Sequence, residues 1–256
     1  MPVLISRNVA NAITKLTAAD VLPAILDNLT VGNLVTRTFE PVVGTIGDAV
    51  SLNNQQIVLN THAEATFQIP DVTKVLAVPD FLRLYMEPAV IAIAEKIETD
   101  LMNLYAQFTA NPAVGSGGSP ITEAVIDQAK TALFDAKVPA SAQKYLIVDG
   151  PTYFDGNVGK LKDFFVFRSQ FVSKTGSGPT TTNNLAFSKD AIGLVMRRLP
   201  QPLPGTGAVA EYAELGNFGM RVVMSYQPNT LAQQFTVDVL YGVAVLRNTH
   251  GIQVRS

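Results

Sequence analysis

The 256-residue sequence contains no cysteine, no tryptophan and only two histidines. Without cysteine there is no disulfide, no thiolate nucleophile and no Cys-ligated zinc or iron–sulfur centre. Two histidines give little material for a His-rich metal site or a His-based proton relay. Charge is also scarce: 16% of the residues are Asp, Glu, Lys or Arg, against about 25% in a typical soluble domain. The 19 basic and 21 acidic residues leave a net charge of -2, which argues against tight, generic nucleic-acid binding through many phosphate contacts. Long apolar runs are missing as well. The longest candidate, PAVIAIA at 88–94, is stopped by Glu95 and Lys96, short of the roughly 20 residues a membrane-spanning helix needs. The opening MPVLISRNVANAITKL has no basic flank leading into an apolar stretch, so no secretory signal is expected and synthesis in a cytoplasm is. The sequon Asn28-Leu29-Thr30 is then idle.

A chain this long can bury roughly 75% of its unfolded surface, in one large domain or two modest ones. With 47% hydrophobic residues, the low charge has two readings. One is a well-packed monomer with a Ser/Thr/Asn/Gln surface. The other is a subunit of a large assembly, whose partner contacts replace charged, solvent-facing residues.

Along the chain, AADVLPAILDNL at 18–29 reads as a short helix with Pro23 near its start. From Phe39 to Pro79, short runs of β-formers alternate with Gly44, Gly47, Asn53, Asn54 and Asn60, which predicts a two-stranded excursion turning near Asn60–Glu64. A lone hairpin is marginal in water and its edges invite other strands, so such an arm needs a neighbour. Met86, Val90, Ile93, Ile97, Leu101, Leu104 and Phe108 then recur at helical spacing, one apolar stripe that predicts a helix of about 43 Å from Asp80 to Phe108. Pro88 should kink it or mark its start. NPAVGSGGSP at 111–120 is a loop, and ITEAVIDQAKTALFDAK predicts a second helix, with Thr122 as N-cap and Val125, Ala129, Ala132, Leu133 and Ala136 buried. KYLIVD at 144–149 is a buried strand, GPTYFDGNVGKLKDFF starts a turn or short helix, and strands return at NLAF, AIGLVM, MRVVMSY and QFTVDVLYGVAVLR. This order, an arm, two helices, then mostly strands, indicates the α+β class.

Charge is uneven. Asp80–Asp127 carries seven acidic and two basic residues, and Gly156–Pro200 seven basic and two acidic. One reading is that these oppositely charged regions meet between neighbouring subunits and fix their register.

No catalytic constellation emerges. Gly156-Asn157-Val158-Gly159-Lys160 lacks the first glycine and the hydroxyl residue of a phosphate-binding loop, since Phe154 and Leu161 stand there. Gly205-Thr206-Gly207-Ala208-Val209-Ala210 nearly matches a dinucleotide fingerprint, but Pro200, Pro202 and Pro204 replace the required strand. His62 and Glu64 share one side of a strand with no third ligand in sight, and His250 reads as a surface turn residue. Glu95 and Glu98 resemble a carboxylate pair without the His partners of di-metal bundles, so they read as a solvated helix face. The expectation is no catalytic, cofactor-binding or metal residue, no cofactor, and no enzyme activity.

Taken in order, several segments resemble the major capsid protein of tailed double-stranded-DNA bacteriophages, whose fold encapsulin shells share. The segments are VTRTFEPVVGTIGDAVSL at 35–52, AIAEKIETDLMNLYAQF at 92–108, KYLIVDGPTYFD at 144–155, NLAFSKDAIGLVMRRLPQPLP at 184–204 and DVLYGVAVLRNTHGIQVRS at 238–256. Ser188 stands where that family usually has a His or similar residue before Lys-Asp. The resemblance implies an N-terminal arm (1–39), an extended β-hairpin loop (40–79), a peripheral domain with a spine helix (80–138 and 205–256) and an axial domain (139–204). It implies pentamers and hexamers self-assembled into an icosahedral shell around weakly contacted double-stranded DNA. A separate scaffolding protein, a portal and a cement protein are the expected partners, and no membrane is. The expected location is the virion capsid, assembled in the bacterial host cytoplasm. Lys74 is the only lysine of the arm and is not assigned to a cross-link. Two rivals remain: an encapsulin-like compartment enclosing cargo protein, and an α+β enzyme.

Overall fold

The computed structural model describes residues 29–40, 57–71, 81–149, 159–176, 180–215 and 218–256. The expected helix at 18–28, the first half of the arm at 41–56, and Lys74 lie outside the described residues.

The apolar stripe forms helix α1 (Phe81–Met102), continued by a 3-10 turn (Asn103–Gln107). Met86, Val90, Ile93, Ile97, Leu101, Leu104 and Phe108 are all buried, as the period requires. Pro88 lies inside the helix rather than at its start, and so removes one backbone hydrogen bond from its interior. Helix α1 packs on strands β2 (Thr61–Pro70) and β12 (Ala232–Val245).

Those strands belong to a first sheet, ordered β1-β9-β12-β11-β10. Here β1 is Thr36–Glu40, β9 is Ile192–Arg197, β10 is Val209–Leu215 and β11 is Phe218–Gln227. Strand β2 pairs antiparallel with one edge of β12 from Thr61↔Tyr241 to Pro70↔Ala232, while β9 pairs with the opposite edge from Leu240 to Val245, beyond the end of the β11 pairing at Asp238. The expected turn near Asn60–Glu64 is therefore corrected: Thr61–Pro70 is one continuous strand. Among the described residues its partner is β12 of the same chain, where the arm was expected to need a neighbour. The physical reason lies in its alternation. Ala63 and Ile69 are buried, with Ala65 and Phe67 partly so, while His62, Glu64, Thr66 and Gln68 face solvent, and one apolar face fixes the register.

The second sheet runs β3-β13-β8-β4-β6-β5, with β7 beside β8. These strands are β3 (Val114–Gly115), β4 (Lys144–Val148), β5 (Lys160–Leu161), β6 (Phe164–Arg168), β7 (Lys174–Thr175), β8 (Thr181–Ser188) and β13 (Gly251–Arg255). The turn or helix expected to follow strand β4 gives way, from Lys160 onward, to the short antiparallel pair β5–β6. All five residues of β4 are buried because both faces of this sheet are covered. Tyr145, Ile147, Leu185 and Phe187 join the core around α1, whereas Leu146, Val148, Ala186, Ile252 and Val254 pack under helix α2 (Glu123–Asp135). A strand covered on both sides reads as a continuous apolar run rather than an alternating one.

Helix α2 begins after Thr122, which stands at the N-cap position without a side-chain cap bond. It buries Ile126, Ala129 and Leu133; Ile126 was absent from the expected face, on which Val125, Ala132 and Ala136 are only partly buried. The helix closes with Val138 N–H donating to the Leu133 carbonyl at 3.1 Å and Lys137 N–H to that of Phe134 at 2.9 Å. This is the paired C-terminal motif that places its C′ residue, here Lys137 at φ 60°, in the left-handed region. The segments 80–138 and 205–256 thus distribute over both layers: α1, β10, β11 and β12 with the first sheet, α2, β3 and β13 with the second.

Candidate assembly surfaces and their anchors

No catalytic geometry forms from the residues that chemistry singled out. Among the described residues, no group of three His, Asp or Glu side chains is placed to hold a metal ion, and no helix is long and apolar enough to cross a membrane. What the structure does bring together is a set of buried polar contacts that fix the chain's outlying segments to the core.

Glu98 is the first, and it corrects the expectation of a solvated helix face. Its side chain is 0% exposed, whereas Glu95 is exposed. Glu98 Oε2 accepts the Val31 N–H at 3.0 Å and Oε1 the Gly32 N–H at 2.9 Å. The turn carrying those amides is apolar itself: Leu29, Val31 and Val35 are buried in the α1 core. Burial pushes the Glu98 carboxyl above its ordinary value, against the opposing pull of the backbone N–H bonds from Gly32, Val31 and Thr30. A buried carboxylate is tolerated only where its oxygens are satisfied, and here the segment entering β1 satisfies them.

Tyr241 supplies a second anchor. Its ring is fully buried, and its hydroxyl donates to Asp100 Oδ2 at 2.6 Å. Asp100 Oδ1 in turn accepts from Lys96 at 2.6 Å. Burial first, then the Asp100 hydrogen bond and charge, push the phenol strongly upward. This contact fixes α1 against β12.

The third anchor centres on Asp238, 2% exposed on β12. Arg221 on the facing strand donates to it twice, Nε to Oδ1 at 3.0 Å and Nη2 to Oδ2 at 2.5 Å. His62 Nε2 lies 3.0 Å from the same Oδ2. The bidentate fork is the strong form of such a pair. Burial lowers Arg221, but the hydrogen bond and charge of Asp238, aided by Tyr212, outweigh it and leave the guanidinium above its ordinary value. Arg221 also donates Nη1 to the Pro200 carbonyl, Tyr212 donates its hydroxyl to the Leu199 carbonyl, and the Arg198 guanidinium lies 3.8 Å from the Tyr212 ring centre. The proline-rich segment after β9 is thereby held across β10 and β11. His62 is thus a partner of a carboxylate–arginine pair, and Glu64 takes no part in it.

His250 is buried at 8% exposure, which corrects its reading as a surface residue. The 3-10 turn Asn248–His250 folds its ring inward, where Nδ1 lies 3.4 Å from Ser188 Oγ. Burial, with the Arg247 charge, pulls the imidazole below its ordinary value. Lys160 sits on a strand rather than in a phosphate-binding loop. Gly205 and Gly207 have φ values of 90° and 73° and lie in a turn.

The unevenly placed charges meet in part within one chain. Lys162 pairs with Glu123 at 3.2 Å and also with Asp127, and Lys130 pairs with Asp163 at 3.0 Å. These contacts tie α2 to the β5–β6 turn. Among the described residues, the large apolar side chains left in water include Phe134, Leu203, Tyr226 and Leu231. Tyr226 and Leu231 flank the tip of the β11–β12 hairpin, where the Tyr226 hydroxyl donates to Asp71 Oδ2 at 2.8 Å and Asp71 N–H donates to the Leu231 carbonyl at 3.0 Å.

No family model and no curated protein matches the sequence. Solved structures do match the fold. The capsid of a native GTA particle superposes with a TM-score of 0.61 at 9% identity, over 89% of this chain and 90% of that one. The capsid of cyanophage P-SCSP1u gives 0.52 at 15% identity, over 88% and 87%. An encapsulin complex from Synechococcus elongatus gives 0.52 at 12% identity, over 85% and 84%. Matching these structures over more than four fifths of each chain, the protein has the fold that phage capsid and encapsulin shell proteins share.

Proposed function

We propose that the chain is a structural shell protein. Many copies, arranged as pentamers and hexamers, build an icosahedral capsid that encloses double-stranded DNA. The observation that carries this reading is the whole-length correspondence of fold to capsids, with comparable coverage of both chains. The buried anchors support it: they tie the outlying segments of each copy to its core. The exposed Phe134, Leu203, Tyr226 and Leu231 support it too, since apolar side chains left in water by one copy are available for contact with others. In this reading residues 80–138 and 205–256, with α1, form the peripheral domain and residues 139–204 the axial domain. The shell is the virion capsid, assembled in the host cytoplasm with a separate scaffolding protein and a portal. Cement protein decorates it, and the DNA is contacted weakly.

The second reading is an encapsulin-like compartment, favoured by the match to an encapsulin complex. Electron microscopy of the purified chain, with and without a co-expressed scaffold, tests both. Closed shells with packaged DNA in the native particle support the capsid. Closed shells with a cargo enzyme and no DNA favour the compartment. A monomer under both conditions, joined to a defined catalytic activity, overturns both.

A further inference from the structure

Where the second sheet meets the end of α2, the segment Ala140–Gln143 and the β5–β6 turn border a recess of about 170 Å³. That is room for roughly five or six waters and too little for a drug-sized ligand. It suits a single ionic group. Ser141, Gln143, Lys144, Lys160, Asp163 and Phe165 line it.

Lys144 opens β4 and is only 7% exposed. Among the described residues its ammonium has no hydrogen-bond acceptor or ion-pair partner. The stem is buried while the ammonium itself keeps contact with the solvent of the recess, so an anion entering there meets an unpaired positive charge. Asp163 offsets that charge only from a distance, because its ion pair is with Lys130 at 3.0 Å. The Lys130 hydrogen bond first, then the charges of Lys130, Lys144 and Lys160, hold the Asp163 carboxyl below its ordinary value despite some burial, which marks the field here as positive. The Lys160 ammonium lies 5.8 Å from the centre of the Phe165 ring, so two cations face the recess across an apolar wall. Such a low-dielectric wall focuses the field. Gln143 Oε1 accepts the Tyr145 hydroxyl at 2.8 Å, which leaves its amide nitrogen as a donor. Apart from Asp163, an ionised carboxylate paired with Lys130, the polar groups on offer can donate: two ammoniums, an amide N–H and the Ser141 hydroxyl.

We infer that this recess binds a phosphate group, and that in the assembled particle the group belongs to the backbone of the enclosed duplex. The inference rests on the capsid reading for its ligand. An identical face on a second copy is a poor alternative, because Glu123, Asp127 and Asp163 are all held by Lys130 and Lys162 and bring no uncommitted carboxylate. One such contact per subunit, repeated over a shell, holds DNA without gripping it, in keeping with a chain of net charge -2.

The test is fluorescence anisotropy of a labelled 12-base-pair duplex against the full chain over a salt series. Lys144→Met keeps the buried stem and removes the charge. Lys160→Gln is the exposed second variant, and Lys137→Gln the control. Each phosphate contact contributes about 0.9 to the slope of log affinity against log salt. Both recess variants should lower the slope by about one and the low-salt affinity several-fold, with the control unchanged. Inorganic phosphate should compete with the duplex, and a polyglutamate peptide should not. An unchanged slope in both variants, or preference for the peptide over the duplex, overturns the site. Shells seen by electron microscopy with an unchanged slope sink the site alone; a changed slope without shells sinks the capsid reading alone.

Discussion

Glu98 and Gly32 lie 66 residues apart in sequence, yet the Glu98 carboxylate accepts the Gly32 backbone N–H at 2.9 Å with no solvent reaching its side chain. With the neighbouring Val31 bond, this contact joins α1 to the segment that enters the first sheet.

Glu98→Ala should destabilise the chain by about 2 kcal/mol or more, because two buried N–H groups lose their acceptor. Urea unfolding gives the value. The carboxyl has a folded pKa above its unfolded one, so between the two the folded chain holds more protons. Its stability contribution is then greatest at acid pH and falls as pH rises through the raised value. The stability difference between wild type and Glu98→Gln should shift against wild type as pH rises from 4 to 8. A pH-independent difference would remove the case for a perturbed carboxyl.

Arg221→Met should cost about 3–5 kcal/mol, since it leaves Asp238 buried with only His62 as partner. The double change Arg221→Met, Asp238→Leu should cost much less than the sum of the single changes, because no orphaned charge remains. Thermal unfolding of the four chains completes the cycle, and additivity of the two changes would contradict the coupling.

Gly251 opens β13 directly beneath Phe108, and a Cβ there would lie 2.3 Å from the ring. Its φ of -137° suits any residue, so the obstacle is space alone. Gly251→Ala should cost about 1–3 kcal/mol through overpacking, and Phe108→Leu should restore part of it. Equal destabilisation with and without the second change would show that the ring is not the obstacle.

Lys137 holds a left-handed conformation at the C-terminus of α2. Lys137→Gly should stabilise the chain by about 0.5–1 kcal/mol, because glycine enters that region without strain. Differential scanning calorimetry would register a higher unfolding temperature; a lower one would mean that the Lys137 stem contributes packing that outweighs the strain.

Legibility followed the range of the interaction. The stripe from Met86 to Phe108 was readable because its period of 3.6 is a local property, and each of its members is buried. The strands in NLAF, AIGLVM, MRVVMSY and QFTVDVLYGVAVLR were readable from β-branched and aromatic runs, and apart from Ala191, Leu246 and Arg247 they lie in β8, β9, β11 and β12. Strand β2 was readable as a strand but not in its pairing. Thr66 and Thr236, whose hydroxyls lie 2.9 Å apart, are separated by 170 residues, and no local pattern names so distant a partner. Glu98 and His250 misled for a related reason. A carboxylate or imidazole in isolation prefers water, and only the arrival of Val31, Gly32 and Ser188 makes burial tolerable.

The sequence by itself determined the α+β class, the spine helix, the buried β4 strand and the absence of thiol chemistry, because composition and periodicity are set residue by residue. Tertiary structure alone decided three things. It paired β2 with its own chain, it gathered Arg221 and His62 around the Asp238 carboxylate, and it set Lys144 and Lys160 on one recess. Each depends on groups brought together across long stretches of chain, where the free energy of burial, rather than any local preference, selects the partner.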